Sequence, residues 1–359
     1  MSRNLRTRIR FLSVPLISLA VLVIGGVAEV GAQVTSKVVT ATTNSVAARG
    51  YSTNTVSIAP SIDVTAGKTI TVSNQVRCVL SMYRKSHASL TIAGGGGRRC
   101  SLHGTVTVDG GGYCTSGLSA GASLLGDVLF ELTSASGVMD GALVISASLT
   151  QRGGLAAPSR VTVDVHNDGK TEFLQTLSLL PVLSPGTDAY TISIPVSLSS
   201  TPMIVRLTSS LGGGSYFGAD HTLAVDAEFV PTGGVVTKRG AACRSGVDLD
   251  VWHAVHQPSS GLASQKVYLR PNPLPASTIA CVYAFGGQEW GVPLAPTNCL
   301  LRNNATVLMF TPPTAPSLTL DFPAGTTPIT FYGQFAFATK GAGGFDLLHT
   351  SDSFLAVLK

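Results

Sequence analysis

The stretch Trp252-His253-Ala254-Val255-His256 holds two imidazoles three residues apart, which on a helix would offer two neutral nitrogens to one metal ion. Val251 to Val255 alternates as a strand does, and a strand sends residues three apart to opposite faces. No third ligand stands nearby. Asp164, Asn167, Asp168 and Glu172 carry oxygens of the kind calcium takes, but their spacing lacks the alternate-position carboxylates of an EF-hand loop. Asp248 and Asp250 share a strand face as a pair, or stand as solvated edge charges. Serines are abundant, yet there is no Gly-x-Ser-x-Gly elbow on a strand-to-helix turn, no His-Glu-x-x-His and no phosphate-cradling loop. A glycosidase needs two carboxylates flanking a cleft, and the acidic residues here are sparse and unclustered.

Binding chemistry has other candidates. Carbohydrate sites present aromatic rings beside polar groups, so Tyr113, Tyr216, Trp252 and Trp290 are the rings of interest, although only 6% of the chain is aromatic. Gly94 to Gly97 with Arg98 and Arg99 lacks the Lys-Ser/Thr of a P-loop; together with Arg77, Arg84 and Lys85 it makes a candidate anion-binding patch. Asn304-Ala305-Thr306 fits the glycosylation acceptor pattern. The motifs imply no cofactor.

The elements that must position these residues are strands. Val161, Val163 and Val165 alternate with polar residues, and Asn167-Asp168-Gly169 then supplies the positive φ angles of a tight hairpin turn before Phe173. Similar runs recur at 69–72, 89–92, 104–108, 128–132, 142–149, 190–196, 203–207 and 222–229, separated by Gly, Ser, Pro or Asn. Helical periodicity is missing after residue 32. Glycine runs at 94–97 and 110–112 read as loop tips. The expected fold is all-β, with two β-sandwich or jelly-roll-like domains behind an N-terminal signal peptide.

That peptide is residues 1–32. Arg3, Arg6, Arg8 and Arg10 precede the apolar run 11–27, and Val30-Gly31-Ala32 forms a small-x-small cleavage site before Gln33. Pro15 and Gly25-Gly26 disfavour a retained spanning helix. Cleavage removes four arginines and Glu29, taking the formal charge from +5 to +2. So small a charge gives no basis for nucleic-acid binding. The expected location is secreted, extracellular or cell-surface, with the periplasm as a variant, and no membrane attachment after cleavage.

Six cysteines suit an oxidising compartment, and their spacings match no zinc motif. They divide into Cys78, Cys100 and Cys114 before the middle and Cys243, Cys281 and Cys299 after it. Either each half leaves one thiol over or one bridge joins the halves; Cys100 and Cys114 are disulfide candidates in the first. The domain break is expected in the Gly-containing stretch 231–242, giving an N-terminal sandwich over 33–237 and a C-terminal one over 238–359.

From Cys243 onward the pattern resembles a C-terminal β-sandwich domain of uncharacterised exported proteins from planctomycete-like and myxobacteria-like bacteria. The residues that carry the resemblance are Cys243, Gly291-Val292-Pro293-Leu294-Ala295-Pro296, Cys299-Leu300, Phe331-Tyr332-Gly333-Gln334-Phe335-Ala336 and Thr350-Ser351. It covers a third of the chain and implies a Cys243 to Cys299 bridge but no activity; the Cys281-Val282-Tyr283 context departs from it. The function expected from these observations is a secreted, non-catalytic structural or interaction protein of the cell exterior, its partner a cell-surface protein or a glycan. An extracellular carbohydrate-binding module is the alternative, and a secreted hydrolase is the third.

Overall fold

The computed structural model describes residues 34–358 apart from 50–54, 59–60, 63–68, 78–82, 94–96, 112–119, 153–154, 157–158, 168–169, 180–185, 216–218, 232–233, 241–242, 244–246, 295–298, 324–327 and 342–345. Residues 1–32, where the signal peptide is expected, and Cys78, Tyr113, Cys114, Asp168 and Tyr216 therefore lie outside the described residues.

The described chain is all-β. Its first strands are β1 (Val34–Arg49), β2 (Thr55–Ile58), β3 (Ser61–Ile62), β4 (Thr69–Arg77), β5 (Tyr83–Ala93), β6 (Arg99–Gly111), β7 (Ala120–Ser134) and β8 (Met139–Arg152). There follow β9 (Leu155–Ala156), β10 (Ser159–Asn167), β11 (Lys170–Leu179), β12 (Gly186–Leu198), β13 (Met203–Ser215), β14 (Ala219–Pro231) and β15 (Val236–Arg239). The last third contributes β16 (Leu249–Gln257), β17 (Ser264–Pro271), β18 (Thr278–Gly286), β19 (Glu289–Leu294) and β20 (Cys299–Asn303). It closes with β21 (Val307–Thr311), β22 (Leu318–Pro323), β23 (Ile329–Lys340) and β24 (Asp346–Leu358).

Three sheets build two sandwiches. The first sheet runs β11-β10-β13-β7-β1-β2, the second β22-β17-β16-β12-β8-β14-β6-β5-β4 and the third β15-β24-β23-β18-β21; β19 and β20 form a separate ribbon. Strict alternation assigns the faces. In β10, Val161, Val163 and Val165 are fully buried, and they pack with Phe130, Leu149, Leu207 and Phe229 in the core between the first and second sheets. In β16 the alternation serves both sandwiches. Ala254 joins that first core with Trp252 packed against it, while Leu249 and Val251 enter a second core with Val267, Tyr283, Phe335 and Phe354.

The two cores interleave along the chain, with Ala254 still in the first. Val236 of β15 already belongs to the second core. β16 pairs antiparallel with β12, from Ala189 opposite Gln257 to Ser193 opposite His253, so the middle sheet is common to both sandwiches. One glycine run read as a loop tip is partly strand, and a second run also lies in a strand. Gly110 and Gly111 end β6 opposite Arg84 and Tyr83, and Gly212 to Gly214 extend β13 against β7. Backbone pairing, to β5 for the first and to β7 for the second, holds them extended despite glycine's conformational freedom.

Candidate interaction surface

β21 is an edge strand. It pairs with β18 on one side, Tyr283 opposite Met309 and Phe285 opposite Val307, and with no other strand among the described residues. A strand at the rim of a sandwich normally turns polar groups outward. Here Val307 is 51% exposed, Leu308 53%, Met309 37% and Phe310 76%. Successive strand residues face opposite sides, so both faces of this edge are apolar and wet.

The corner that launches β21 is held by side-chain amides. Asn303, buried at 1% exposure, donates from Nδ2 to the Ala284 carbonyl at 2.8 Å and accepts at Oδ1 from the Ala305 N–H at 2.9 Å. Ala305 sits at φ 41°, a left-handed conformation that costs a Cβ-bearing residue roughly 1–2 kcal/mol. The Asn303 bond helps to offset that cost. Thr306 Oγ1 donates to the Phe285 carbonyl at 3.2 Å, and the Asn304 N–H donates to the Gln288 carbonyl at 3.2 Å. Asn304, the glycosylation candidate, lies directly on Gly286, where any Cβ would collide with its side chain.

The β19–β20 ribbon is clamped alongside. Gln334, 1% exposed, donates from Nε2 to the carbonyls of Leu300 (3.1 Å) and Ser351 (2.8 Å), and accepts the Arg302 N–H at Oε1 (2.8 Å). Thr350 Oγ1 adds a bond to the Leu300 carbonyl at 3.3 Å. Cys299 is bridged to Cys243 with Cα atoms 5.4 Å apart, the pairing that the resemblance implies. Above this clamp Trp290 (58%), Val292 (40%) and Leu300 (39%) are exposed.

Of the sequence candidates, Trp290, Asn304, Cys243 and Cys299 lie here, and the others that the structure describes fall elsewhere. Trp252 is enclosed rather than displayed: it stacks on Tyr268 at 5.1 Å, meets Phe173 edge-on at 5.5 Å, and has the Arg270 guanidinium 5.5 Å from its ring centre. Cys100 is a buried free thiol, which corrects its candidacy for a bridge. Its side chain faces the first core, where burial pushes the thiol up to about 12. Cys281 is likewise free and buried. Of the calcium set, Asp168 lies outside the described residues. Asn167 donates from Nδ2 to the Ser197 carbonyl at 3.0 Å, and Asp164 Oδ1 lies 2.8 Å from His166 Nε2. Glu172 lies in β11, within a register shift of its pairing with β10. Among the described residues no group of three or more His, Cys, Asp or Glu converges as metal ligands would.

His253 and His256 do face opposite ways, His253 onto Gln265 (3.2 Å) and His256 onto Asp188 (2.7 Å). Asp250 is 7% exposed and accepts from Arg270, so it is a buried ion-paired carboxylate and not an edge charge. Arg99 pairs with Asp226 at 2.8 Å, which spends one cation of the anion patch. The chain has one Gly-x-Ser-x-Gly match, at Gly117 to Gly121; it leads into strand β7, where an elbow requires a helix. A cavity of 480 Å³ has one carboxylate, Asp140, among the described residues of its wall.

Val307 to Phe310 escaped the sequence candidates because nothing in the strand itself shows which edge or face lacks a partner. A signal was present: an uncharged run from Asn303 to Leu320 that contains four consecutive large apolar residues. No family model, curated protein or solved structure matches this chain.

Buried histidines also set a pH response. Burial holds His221 (1% exposed) and His253 (3% exposed) below the ordinary 6.5, against the weaker opposing pulls of Asp220 and Gln265. The unfolded chain therefore takes up these protons first. Their contribution to stability is complete above 6.5 and is lost as pH falls through 6.5 toward the depressed folded values. Urea midpoints are expected to drop between pH about 7.5 and 5.5, and the drop should be smaller in His221→Gln. An unchanged drop in that variant would remove His221 from the account.

Proposed function

We propose that this protein is a secreted, non-catalytic assembly protein of the cell exterior that pairs with a second copy of itself along β21. The observation that carries the proposal is the uncharged apolar edge Val307 to Phe310. Exposed edges in natural sheets are normally blunted by charges, prolines or bulges. This one has none within the strand, and Pro312-Pro313 only limits its length.

Self-pairing fits the sequence of the strand. Two antiparallel copies centred on Met309 set Leu308 against Phe310 of the other copy, twice over, and Val307 against Thr311. Each residue then meets its counterpart reciprocally, as a two-fold interface requires. The two free edges consume one another, which closes the assembly as a dimer. A five-residue seam is small beside specific interfaces of about 1,200–2,000 Å², so the expected species is reversible.

The Cys243–Cys299 bridge suits an oxidising compartment, and no helix among the described residues is long and apolar enough to cross a membrane. The 480 Å³ cavity shows one carboxylate, Asp140, among the described residues of its wall where a glycosidase needs two, which supports the non-catalytic reading over hydrolysis. Sedimentation of the full chain through the micromolar range tests the seam. A concentration-dependent dimer is expected. Met309→Lys, which puts like charges face to face at the axis, should weaken it by about tenfold or more, every 1.4 kcal/mol being a factor of ten. A wild type that stays monomeric throughout would refute the proposal.

A further inference from the structure

A different feature lies where the middle sheet faces the first. Even-numbered residues of β16 and β17 make cross-strand pairs there: Trp252 opposite Tyr268, Ala254 opposite Lys266, His256 opposite Ser264. Tyr190 of β12 stands opposite His256. The rings sort into two stacks, Tyr190 on His256 at 4.1 Å with 5° between planes, and Trp252 on Tyr268 at 5.1 Å with 8°. Ala254 lies on β16 between the two stacks. Its small side chain leaves a slot of 270 Å³, walled on a third side by residues 175–178 of β11.

The slot is polar but balanced in charge. Lys266 Nζ is 3.0 Å from Asp321 Oδ1, and His256 Nε2 is 2.7 Å from Asp188 Oδ1. Lys266 has its anion in Asp321 and the His256 ring is hydrogen-bonded to Asp188, so a charged ligand would find no uncompensated partner. Hydroxyl and amide groups remain. Tyr190, Tyr268 and Ser264 line the slot, and Gln175 Oε1, buried in its wall, accepts no hydrogen bond within the protein. A buried acceptor of that kind calls for a donor.

We propose that the slot binds one neutral hydroxylated ring, the chemistry of a pyranose sugar. Its volume lies just under the 300–1,000 Å³ or so typical of drug-sized ligand sites, which leaves space for a single ring. The aromatic walls suit the apolar face of such a ring, and its hydroxyls supply the donor that Gln175 lacks and acceptors for the tyrosine hydroxyls. The inference is independent of the β21 seam.

The chain's two tryptophans give the readout. Trp252 stacks behind Tyr268, whereas Trp290 lies on the exposed ribbon and serves as an internal control. The ¹⁵N-labelled full chain is titrated with methyl glycosides of glucose, galactose and mannose, with the corresponding linear trisaccharides, and with glutamate as a charged probe. The expected result is a saturable shift of the Trp252 indole signal with at least one neutral sugar, none with glutamate, and little movement of Trp290. Tighter binding of a trisaccharide would identify a glycan chain end as the source, and equal binding a free sugar. Tyr190→Phe combined with Tyr268→Phe keeps both rings and should weaken binding by about tenfold at unchanged thermal midpoint. The proposal is overturned if no sugar moves Trp252, if glutamate or Trp290 responds equally, or if the double variant binds undiminished.

Discussion

Cys243→Ser is expected to lower the stability of the C-terminal sandwich by about 4 kcal/mol, the chain-entropy value for a loop of this size. The bridge spans a sequence separation of 56 and encloses β16, β17 and β18, which supply Val251, Val267 and Tyr283 to the second core. Without it the unfolded chain regains the freedom of that whole loop. The folded chain keeps only local ties, chief among them the Cys243 N–H to the Thr350 carbonyl at 2.9 Å. Cys281 is a poor substitute, since burial raises its thiol and so keeps it protonated and unreactive. Guanidinium unfolding is the measurement: the variant should have a midpoint well below that of the oxidised wild type. A difference under about 1 kcal/mol would assign the clamp to Gln334 and Thr350 instead.

Phe354→Ala should cost a similar amount, about 3–5 kcal/mol, by opening a cavity in the same core. Its ring is fully buried, meets Phe331 edge-on at 6.0 Å and lies over Gly333, its partner across β23 and β24. Gly333 has no side chain to fill the space, and an ideal Cβ there would collide with the Phe354 ring. Gly333→Ala alone should therefore destabilise by about 1–3 kcal/mol through overpacking. The two changes together should cost less than their sum, because the added methyl enters the volume the ring vacates. Simple additivity in denaturant unfolding would show that ring and glycine do not act as a pair.

Local chemistry was legible in the sequence. Val161, Val163 and Val165 alternate into the core, β10 and β11 pair around Asn167-Asp168-Gly169, and the two histidines of β16 part to opposite faces, each because a period of two admits one arrangement. Pairing between distant strands was not. Nothing local in Gly212 to Gly214 announces that β7 will hold it extended, and nothing in β16 announces that its neighbour is β12, some sixty residues earlier. The interaction surface was hidden for the same reason. Val307 to Phe310 reads like any core strand until the tertiary fold leaves its far edge unpaired. The slot depends on cross-strand neighbours from β11, β12, β16 and β17, which no linear motif records.

The sharing of the middle sheet also imposes an order of events on a chain made from its N-terminus. β14 lies between β8 and β6, so those two strands stay unjoined until residues 219–231 have emerged. β12, thirteen residues long, then has one edge bonded to β8 and the other open until β16 arrives. During that interval it is a bare template for any passing strand. Arrival of β16 thus covers the edge that the first half leaves open, from Ala189 to Ser193, so the second half of the chain shields a strand of the first.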